Sequence, residues 1–477
     1  MSITRLDTLI GDLLFIVLSY LSPRDILTLR KTCRSLRQAT LDRSVWANAY
    51  RTSTYLRPAG PLESQSRQEL EKNLIRAEKL DENWTASASP VSRRSIDTGT
   101  GNPFSMSLAQ GRYLFVGDSK GLRCYDLDSE NYTTPIFDRQ TPVRALACTP
   151  WVDHEGKEFI VLAISPRQTS TPRIIIYKIH ANPSPTEFDK VAQIEVETVN
   201  FFSLRIRGDF LLSRARDSAL LFDLRTHRWW KLPGILRSLY QLRITDQHVL
   251  GFHPQQTTTE VEAFQLPVAS TTEILEKKPY TPCTQESVND TLIKSHYGVC
   301  AFSFHPESNI SFDDGKPISP QDTTRTRLLT FQRDTGVYAG AIRILDLVLA
   351  PHDGLRSTAP ASITFENVFT FPRADEFSPF RFESTSVGGC TRGFNVATDM
   401  RLHESTVVAN NIRGSTLRDD PPGTSLVADS RELVITEPGG PQLYLATCNI
   451  AFDGVRGRLC IELPPSNAPR IGILDFV

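Results

Sequence analysis

One sequence pattern has the form of a catalytic motif. Gly117-x-Ser119-x-Gly121 has the spacing of a nucleophile elbow, which exposes a serine between a strand and a helix. Here residues 122–125 (Leu-Arg-Cys-Tyr) continue as a strand, so the pattern predicts a hairpin turn. A hydrolase or lectin-like binder would have only this motif in its favour.

The other groups able to do chemistry are scattered. The eight cysteines contain no Cys-x-x-Cys pair, which excludes zinc-ribbon and thioredoxin-like sites. His248 and His253 are too isolated for a metal site, and no phosphate-binding glycine loop or paired-carboxylate signature occurs. We therefore expect no catalytic residue, no metal and no cofactor. Eight thiols in so long a chain indicate a reducing compartment, the cytoplasm, the nucleus or both.

A basic cluster between residues 201 and 250 could bind anions. It has nine Arg or Lys against four Asp, a local net charge of +5 in a chain of net charge −1. Arginines clustered on one edge of a folded domain bind phosphate or acidic peptides through paired hydrogen bonds. Arg205, Arg214 and Arg216 are the candidate substrate-binding residues. The alternative is a solvated strand face on which both signs of charge alternate.

Overall composition limits the partners further. The chain has 477 residues, 40% hydrophobic and 22% charged, which is typical of a folded protein of two or three units. With 53 basic and 54 acidic residues, the chain as a whole has no net electrostatic attraction to nucleic acid or to an anionic membrane. The apolar run 13–18 is too short to span a bilayer, and it has no cleavage site after it. We expect a protein that is not secreted and binds neither nucleic acid nor membrane.

The first fifty residues predict three short helices. Leu13, Leu14, Val17 and Leu18 recur at helical spacing, so residues 9–21 predict an amphipathic helix. Ser22-Pro23-Arg24-Asp25 predicts the capped start of a second helix. A third helical piece contains residues 36–46. Three helices bury little core, so this unit is either completed by a partner or forms a cap on the next domain.

The order of residues 9–27 resembles the F-box. The family pattern runs Leu-Pro, then Glu-Leu-Leu, Ile-Leu-Ser-Tyr-Leu and Pro-x-Asp-Leu. The register continues without gaps through residues 32–37 and ends at Val45-Trp46. Ile10 replaces the usual Pro and Asp12 the usual Glu. The first change loosens the helix entry, and the second keeps the negative charge near the helix start.

The resemblance implies a role for these residues. F-box modules bind the Skp-type adaptor of cullin–RING ubiquitin ligases and present a substrate that the rest of the chain captures. The positions that match the adaptor interface, or the small core beneath it, are Leu9, Leu13, Leu14, Val17, Leu18, Leu21, Pro23, Leu27 and Trp46.

A helix and then many strands follow. Ser66 and Glu69 form a capping-box pattern, and apolar residues at helical spacing predict a helix over 66–84. From residue 104 onward the sequence shows β-branched and aromatic runs bounded by turn residues. Apolar-Asp-apolar triplets centred on Asp126, Asp223, Asp346 and Asp475 are expected to end strands, with Asp setting the turn.

The strand endings recur about every 45 residues, the period of a four-stranded propeller blade. The pattern resembles a degenerate WD-type propeller, although no Gly-His pair opens a repeat and no Trp precedes these Asp residues. We predict seven blades, with six or eight as alternatives. A pair of β-sandwiches is the structural alternative. Residues 268–293, 312–325 and 414–429 are predicted to be insertion loops.

The end of the chain predicts how the ring closes. A strand over 470–477 would expose an unpaired edge, which sheets rarely tolerate. Residues 85–100 are the unassigned segment in the right place, so we predict that they pair with 470–477 and fix helix 66–84 to the propeller.

The predicted fold class is therefore α plus all-β multidomain. An F-box at 1–50 and a helical linker leading into the propeller at 51–100 precede a propeller-like substrate-recognition domain at 101–477. The expected function is a non-catalytic substrate receptor of a Skp–cullin–F-box ubiquitin ligase that binds the Skp-type adaptor and a protein substrate. The alternative is an adaptor-bound scaffold without a role in ubiquitination.

Overall fold

A computed structural model gives the architecture of most of the chain. It describes residues 11–53, 55–58, 60–99, 103–152, 158–167, 173–180, 188–195, 204–214, 219–226, 228–232, 241–244, 248–254, 259–266, 296–302, 310–311, 317–319, 322–333, 340–349, 363–371, 378–387, 390–399, 404–414, 426–432, 449–463 and 470–477.

All helices of the described residues lie in the first fifth of the chain. Ser22 caps the second helix through its hydroxyl, which accepts a hydrogen bond from the Asp25 amide (3.1 Å). Ser66 and Glu69 form the predicted capping box of the fifth. No described helix is both long and apolar enough to cross a membrane. The helices are α1 (Gly11–Ser19), α2 (Pro23–Arg30), α3 (Arg34–Ala39), α4 (Arg43–Thr52) and α5 (Arg67–Ala86).

The remaining elements of the described chain are strands. Those before residue 200 are β1 (Ser92–Asp97), β2 (Pro103–Ala109), β3 (Tyr113–Asp118), β4 (Leu122–Asp126), β5 (Phe137–Arg139), β6 (Val143–Val152), β7 (Glu158–Pro166), β8 (Arg173–His180) and β9 (Phe188–Glu195). Those between 200 and 320 are β10 (Leu204–Arg207), β11 (Phe210–Arg214), β12 (Ala219–Asp223), β13 (Trp229–Leu232), β14 (Gln241–Ile244), β15 (His248–Pro254), β16 (Thr259–Gln265), β17 (His296–Phe302), β18 (Ile310–Ser311) and β19 (Pro317–Ser319). The last are β20 (Asp322–Arg333), β21 (Gly340–Leu349), β22 (Ile363–Phe371), β23 (Ser378–Val387), β24 (Cys390–Asp399), β25 (Glu404–Gly414), β26 (Leu426–Glu432), β27 (Ile450–Asp453), β28 (Arg458–Leu463) and β29 (Arg470–Asp475).

These strands form a β-propeller, as predicted. Within the described residues they assemble into seven antiparallel sheets, six of four strands and one of five. Five sheets are consecutive runs in strand order, β2–β5, β6–β9, β10–β13, β14–β17 and β23–β26; the sixth holds β18 to β22 and the seventh β1 with β27 to β29. The strands β2, β6, β10 and β14 are neighbours in turn, as are β18, β23 and β27, and β27 lies beside β2. These first strands therefore surround the centre.

The recurring Asp residues act largely as predicted. Asp126, Asp223 and Asp475 are each the last residue of a strand. Asp126 Oδ1 accepts from the Asp128 amide (3.1 Å) and Asp223 Oδ1 from the Arg225 amide (2.8 Å), so both set turns. The prediction is wrong for Asp346, which lies inside β21.

Two other predictions need correction. The third helical piece is two helices, α3 and α4, because Asp42 caps α4 by accepting from the Ser44 amide (2.7 Å). Two of the predicted insertion loops contain strand residues: 312–325 contains β19 and the start of β20, and 414–429 contains the last residue of β25 and the first four of β26. Residues 268–293 lie outside the described part of the chain.

The Gly117-x-Ser119-x-Gly121 pattern is the predicted hairpin turn between β3 and β4. Two backbone amides donate hydrogen bonds to Asp118 and stabilise this turn.

The ring closes between the two ends of the propeller, as predicted. β1 pairs antiparallel with β29 in an unbroken register from Ser92 opposite Asp475 to Asp97 opposite Arg470. β1 is thus the outermost strand of a sheet whose other strands, β27, β28 and β29, come from the other end of the chain. The pairing covers an edge that would otherwise be open.

Asp475 holds this closure together electrostatically. Its Oδ2 accepts from Nη2 of Arg94 on β1 (2.7 Å), and its Oδ1 accepts from Nε of Arg458 on β28. Arg458 also donates to Oδ1 of Asp128, which lies in the turn after β4 of the neighbouring sheet (2.8 Å). Burial alone would raise the pKa of Asp128, but the hydrogen bond and charge of Arg458, with those of Arg456, hold it below its usual value. Asp128 therefore stabilises the fold above about pH 4, and this contribution is lost as the pH falls further.

Helix α5 belongs to two hydrophobic cores. Its first half supplies Leu70 and Leu74 to the core of α1–α4, around Trp46. Its second half supplies Leu80 and Trp84 to a core of the closing sheet. The small helical unit is therefore completed from within the chain, by α5.

Several close contacts fix the second half of α5 to the propeller. Trp84 meets Phe476 edge to face, with ring centroids 4.8 Å apart, and Nδ2 of Asn83 donates to the Phe476 carbonyl (2.7 Å). Leu80 approaches Gly457 so closely that a Cβ there would lie 2.4 Å from its Cδ1. Gly457 also has φ +65°, so both its backbone and its neighbour require glycine. Arg392 of β24, fully buried, lies 5.6 Å from the Trp84 ring centre.

Replacing Asp475 with Asn should destabilise the whole propeller by about 3 kcal/mol, because it removes the negative charge that Arg94 shares with buried Arg458 and leaves Arg458 with only Asp128 as a charged partner. Urea unfolding followed by intrinsic fluorescence would measure this. Asp97→Asn, on the exposed side of the same strand pair, is the matched control and should change stability little. An equal effect of both substitutions would show that the Asp475 ion pairs do not hold the closure.

Candidate functional site

Helix α1 is apolar on two faces. Leu14 and Leu18 are buried in the core of the helical unit, with exposed fractions of 7% and 1%. Leu13 and Ile16 are both 50% exposed, and Tyr20, directly after the helix, is 76% exposed. A helix that is apolar all round is normally buried all round. The exposed side of α1 is therefore a surface suited to a protein partner.

The three exposed side chains form one stripe. At about 100° per residue, positions 13, 16 and 20 fall within an arc of about 60° on a helical wheel. We call Leu13, Ile16 and Tyr20 the α1 stripe. Such spacing is the pattern with which an amphipathic helix presents anchors to a hydrophobic groove of a partner.

The structure divides the predicted adaptor-binding residues into two groups. Leu14, Leu18, Pro23 and Trp46 are buried and form the core beneath the surface, whereas Leu13 is on the surface. Val17, Leu21 and Leu27 are half-buried at the border of the two groups, and Leu9 lies outside the described residues.

Sequence reasoning missed two members of the stripe. Ile16 and Tyr20 lie within the F-box resemblance, but the family positions carried over to this chain did not include them. The available signal was the excess of apolar residues in α1, which one buried face cannot accommodate. Only burial in the folded unit distinguishes Leu13, which is exposed, from its neighbour Leu14.

Hydrogen bonds hold the helices that support the stripe. Nε1 of the fully buried Trp46 donates to the Thr40 carbonyl (2.8 Å), which joins α4 to the end of α3. Arg30 donates to the same carbonyl (3.2 Å) and forms a two-pronged ion pair with Glu71 on α5 (2.7 and 3.0 Å). One arginine thus ties α2, the α3–α4 connection and α5 together.

The structure describes only part of the basic cluster of the propeller. Arg205 is exposed on β10 and lines a central cavity of about 380 Å³ between β2, β6, β10 and β27. Arg214 is the last residue of β11, two positions beyond Leu212, which pairs with Arg205. Arg216 lies outside the described residues. Arg225 forms an ion pair with Asp209 (2.8 Å) and is not among the residues that line the cavity.

Comparison with known proteins identifies the helical unit. Residues 12–52 match the F-box-like family. Together with the sheets described above, this gives an N-terminal F-box-like module followed by a β-propeller. No curated protein matches the sequence.

Several solved structures are similar to the chain at low identity. The WD40 domain of coronin from Toxoplasma gondii is 8% identical, covers 81% of this chain and 86% of its own, and gives a TM-score of 0.42. The WD40 domain of SCAP from fission yeast is 8% identical, with coverages of 79% and 84% and a TM-score of 0.39. Kluyveromyces lactis Hsv2p is 10% identical, with coverages of 76% and 90% and a TM-score of 0.38.

The two faces of α1 should respond differently to truncation. Leu18→Ala should destabilise the helical unit by about 3 kcal/mol because it opens a cavity in the core. Leu13→Ala should change stability by less than about 0.5 kcal/mol because the side chain is half exposed. Denaturant unfolding followed by the helical circular dichroism signal would compare them, because all described helices lie in or beside this unit. Equal losses would mean that Leu13 is a core residue and that α1 has no free face.

Proposed function

We propose that this protein is the substrate-receptor subunit of a Skp–cullin–F-box ubiquitin ligase. The observation that carries the proposal is the α1 stripe: Leu13, Ile16 and Tyr20 are exposed on a helix of an F-box-like module. A large apolar residue left in water on a folded unit is stabilised when a partner covers it, at about 25 cal/mol per Å². The stripe is therefore the surface through which the chain binds the Skp-type adaptor.

The rest of the architecture supports a receptor that positions a substrate and does no bond chemistry itself. Helix α5 shares one core with the F-box-like module and another with the closing sheet of the propeller. A substrate held by the propeller would keep a defined orientation relative to the adaptor. Holding a lysine near the reactive ubiquitin carrier raises the rate by proximity alone.

Adaptor binding should depend on the α1 stripe. The double variant Leu13→Ala with Ile16→Ala should weaken binding by about 2 kcal/mol per side chain, roughly 30-fold each, because interface energy concentrates in a few apolar anchors. Calorimetric titration of the full chain with a purified Skp-type adaptor would measure the loss.

A matched control distinguishes the stripe from exposed apolar residues in general. Leu62 and Val91 are 46% and 71% exposed and lie outside the F-box-like module, so Leu62→Ala with Val91→Ala should leave adaptor affinity unchanged. Wild-type affinity of the α1 double variant would refute the assignment of the adaptor surface. Purification from cells then tests the ligase itself, since a cullin should accompany the adaptor, whereas a scaffold would bring the adaptor alone.

We further propose that the propeller recognises a phosphorylated or acidic protein segment through Arg205, Arg214 and Arg216. The supporting observation is the position of Arg205, whose exposed side chain lines the central cavity. The guanidinium group can donate two parallel hydrogen bonds to a phosphate or carboxylate.

The triple variant Arg205→Gln, Arg214→Gln and Arg216→Gln should lose substrate while retaining the adaptor. Binding of the wild-type substrate should also weaken as salt rises, because exposed charges are screened. Quantitative proteomics of the proteins bound to each form, at two salt concentrations, would measure both effects. A triple variant with an unchanged set of partners would leave the cluster as a solvated strand face.

A further inference from the structure

A second charged surface lies away from the propeller cavity, where the F-box-like module meets α5. A cleft of about 580 Å³ runs between α2, α3 and α5. We call it the α3–α5 cleft. Its lining contains six cationic side chains and one acidic one, in a chain whose net charge is −1. The cationic residues are Arg30, Arg37, Arg67, Lys72, Arg76 and Lys79.

The positive charge of the cleft is only partly compensated. Glu71 is the acidic residue, and both Arg30 (2.7 Å) and Arg67 (2.9 Å) form ion pairs with it. Within the part of the chain that the structure describes, Arg37, Lys72 and Lys79 have no acidic partner at ion-pair distance, and all three are exposed. Three exposed cations therefore remain available along the cleft.

Arg76 adds to the positive field at the far end. Its Nη2 donates to the Arg456 carbonyl (3.1 Å), so its position is fixed. Burial, and then the charges of Arg456 and Arg458, lower the pKa of the Arg76 guanidinium against the opposing effect of Asp128 and Asp475. An anion in the cleft would relieve this crowding of like charges.

The floor of the cleft is aliphatic. Leu41, Ile75 and Val477 line it and are half-buried, and no aromatic ring lies among the lining residues. The cleft shares Arg30, Arg37 and Leu41 with a second hollow of about 860 Å³, which continues past Lys31 and Arg34. On α5 the lining residues extend from Arg67 to Lys79, a length of about 18 Å at the helical rise.

We propose that the α3–α5 cleft binds an acidic protein segment that carries aliphatic side chains. The charge selects carboxylates, the aliphatic floor selects Leu- or Ile-type side chains, and the elongated shape suits several residues of extended chain. Single-stranded nucleic acid is less well matched, because its bases bind by stacking on aromatic rings and the lining offers none. A small phosphate compound would leave the aliphatic floor and much of the length unused. This surface is distinct from the α1 stripe and from the propeller cavity.

The test uses the full chain and fluorescent eight-residue peptides. The probe is Glu-Glu-Leu-Glu-Glu-Leu-Glu-Glu, compared with one in which Gln replaces every Glu and one in which Ser replaces both Leu. Lys72→Glu with Lys79→Glu reverses two exposed cations of the cleft, and Lys72→Gln with Lys79→Gln removes them more mildly. Arg51→Glu with Lys120→Glu changes net charge by the same amount at exposed positions that do not line the cleft.

We expect the Glu/Leu peptide to bind the wild type, and the charge-reversal variant to bind it at least about tenfold more weakly at low salt. The Gln variant should give an intermediate loss and the Arg51/Lys120 control less than a twofold change, with equal melting temperatures confirming that each protein is folded. Both altered peptides should bind more weakly than the probe.

Other results would overturn the proposal. Equal binding of the Gln peptide would exclude recognition of charge, and equal binding of the Ser peptide would exclude the aliphatic floor. A loss of the same size in the control would indicate non-specific attraction. Binding of tripolyphosphate or of a single-stranded RNA to the cleft, without binding of the peptide, would assign it to another class of ligand. None of these outcomes depends on whether the α1 stripe binds an adaptor.

Discussion

The pairing of β1 with β29 is the constraint on which the rest of the structure depends. It closes the propeller by joining a strand from the beginning of the domain to the last strand of the chain. Because only five residues separate the end of α5 from the start of β1, closure also determines where the helix must lie. Asp475 ties the arrangement together, since it accepts hydrogen bonds from arginines on β1 and on β28.

The position of α5 couples two domains that would otherwise be independent. A small helical unit buries too little surface for high stability by itself. Here Leu70 and Leu74 complete its core, while Leu80 and Trp84 of the same helix complete a core of the propeller. Helix α5 therefore packs against both domains. The orientation of the α1 stripe relative to the propeller follows from these two packing contacts.

The surfaces that remain exposed after the helical unit, α5 and the propeller pack together are the ones that suggest function. These surfaces differ in chemistry. The α1 stripe is apolar, the central cavity with Arg205 is small and cationic, and the α3–α5 cleft is cationic with an aliphatic floor. Three surfaces of different chemistry on one chain suit a protein that brings several partners together. The cleft is formed by the F-box-like module and α5 jointly, so it exists only while the two remain packed against each other.

Much of the fold was predictable because its signals are local. The Ser66–Glu69 capping box, the Ser22 cap and the Asp126 and Asp223 turns depend on residues within a few positions of each other, and all are confirmed. The closure was predictable for a different reason: an unpaired terminal strand requires a partner, and one segment was available. The division of α3 from α4 was missed because the Asp42 cap lies within an apolar pattern that runs continuously past it.

The sequence by itself determined the types and order of the elements: an F-box-like helical module, a capped helix and a series of strands with an Asp at several ends. Only the tertiary structure decided which side of α1 faces water, since Leu13 and Leu14 are chemically identical and differ only in what packs against them. The tertiary structure also created the α3–α5 cleft, because it brings together cations from segments about thirty residues apart in sequence. Burial and proximity of distant residues depend on how helices pack, and no local pattern in the sequence contains that information.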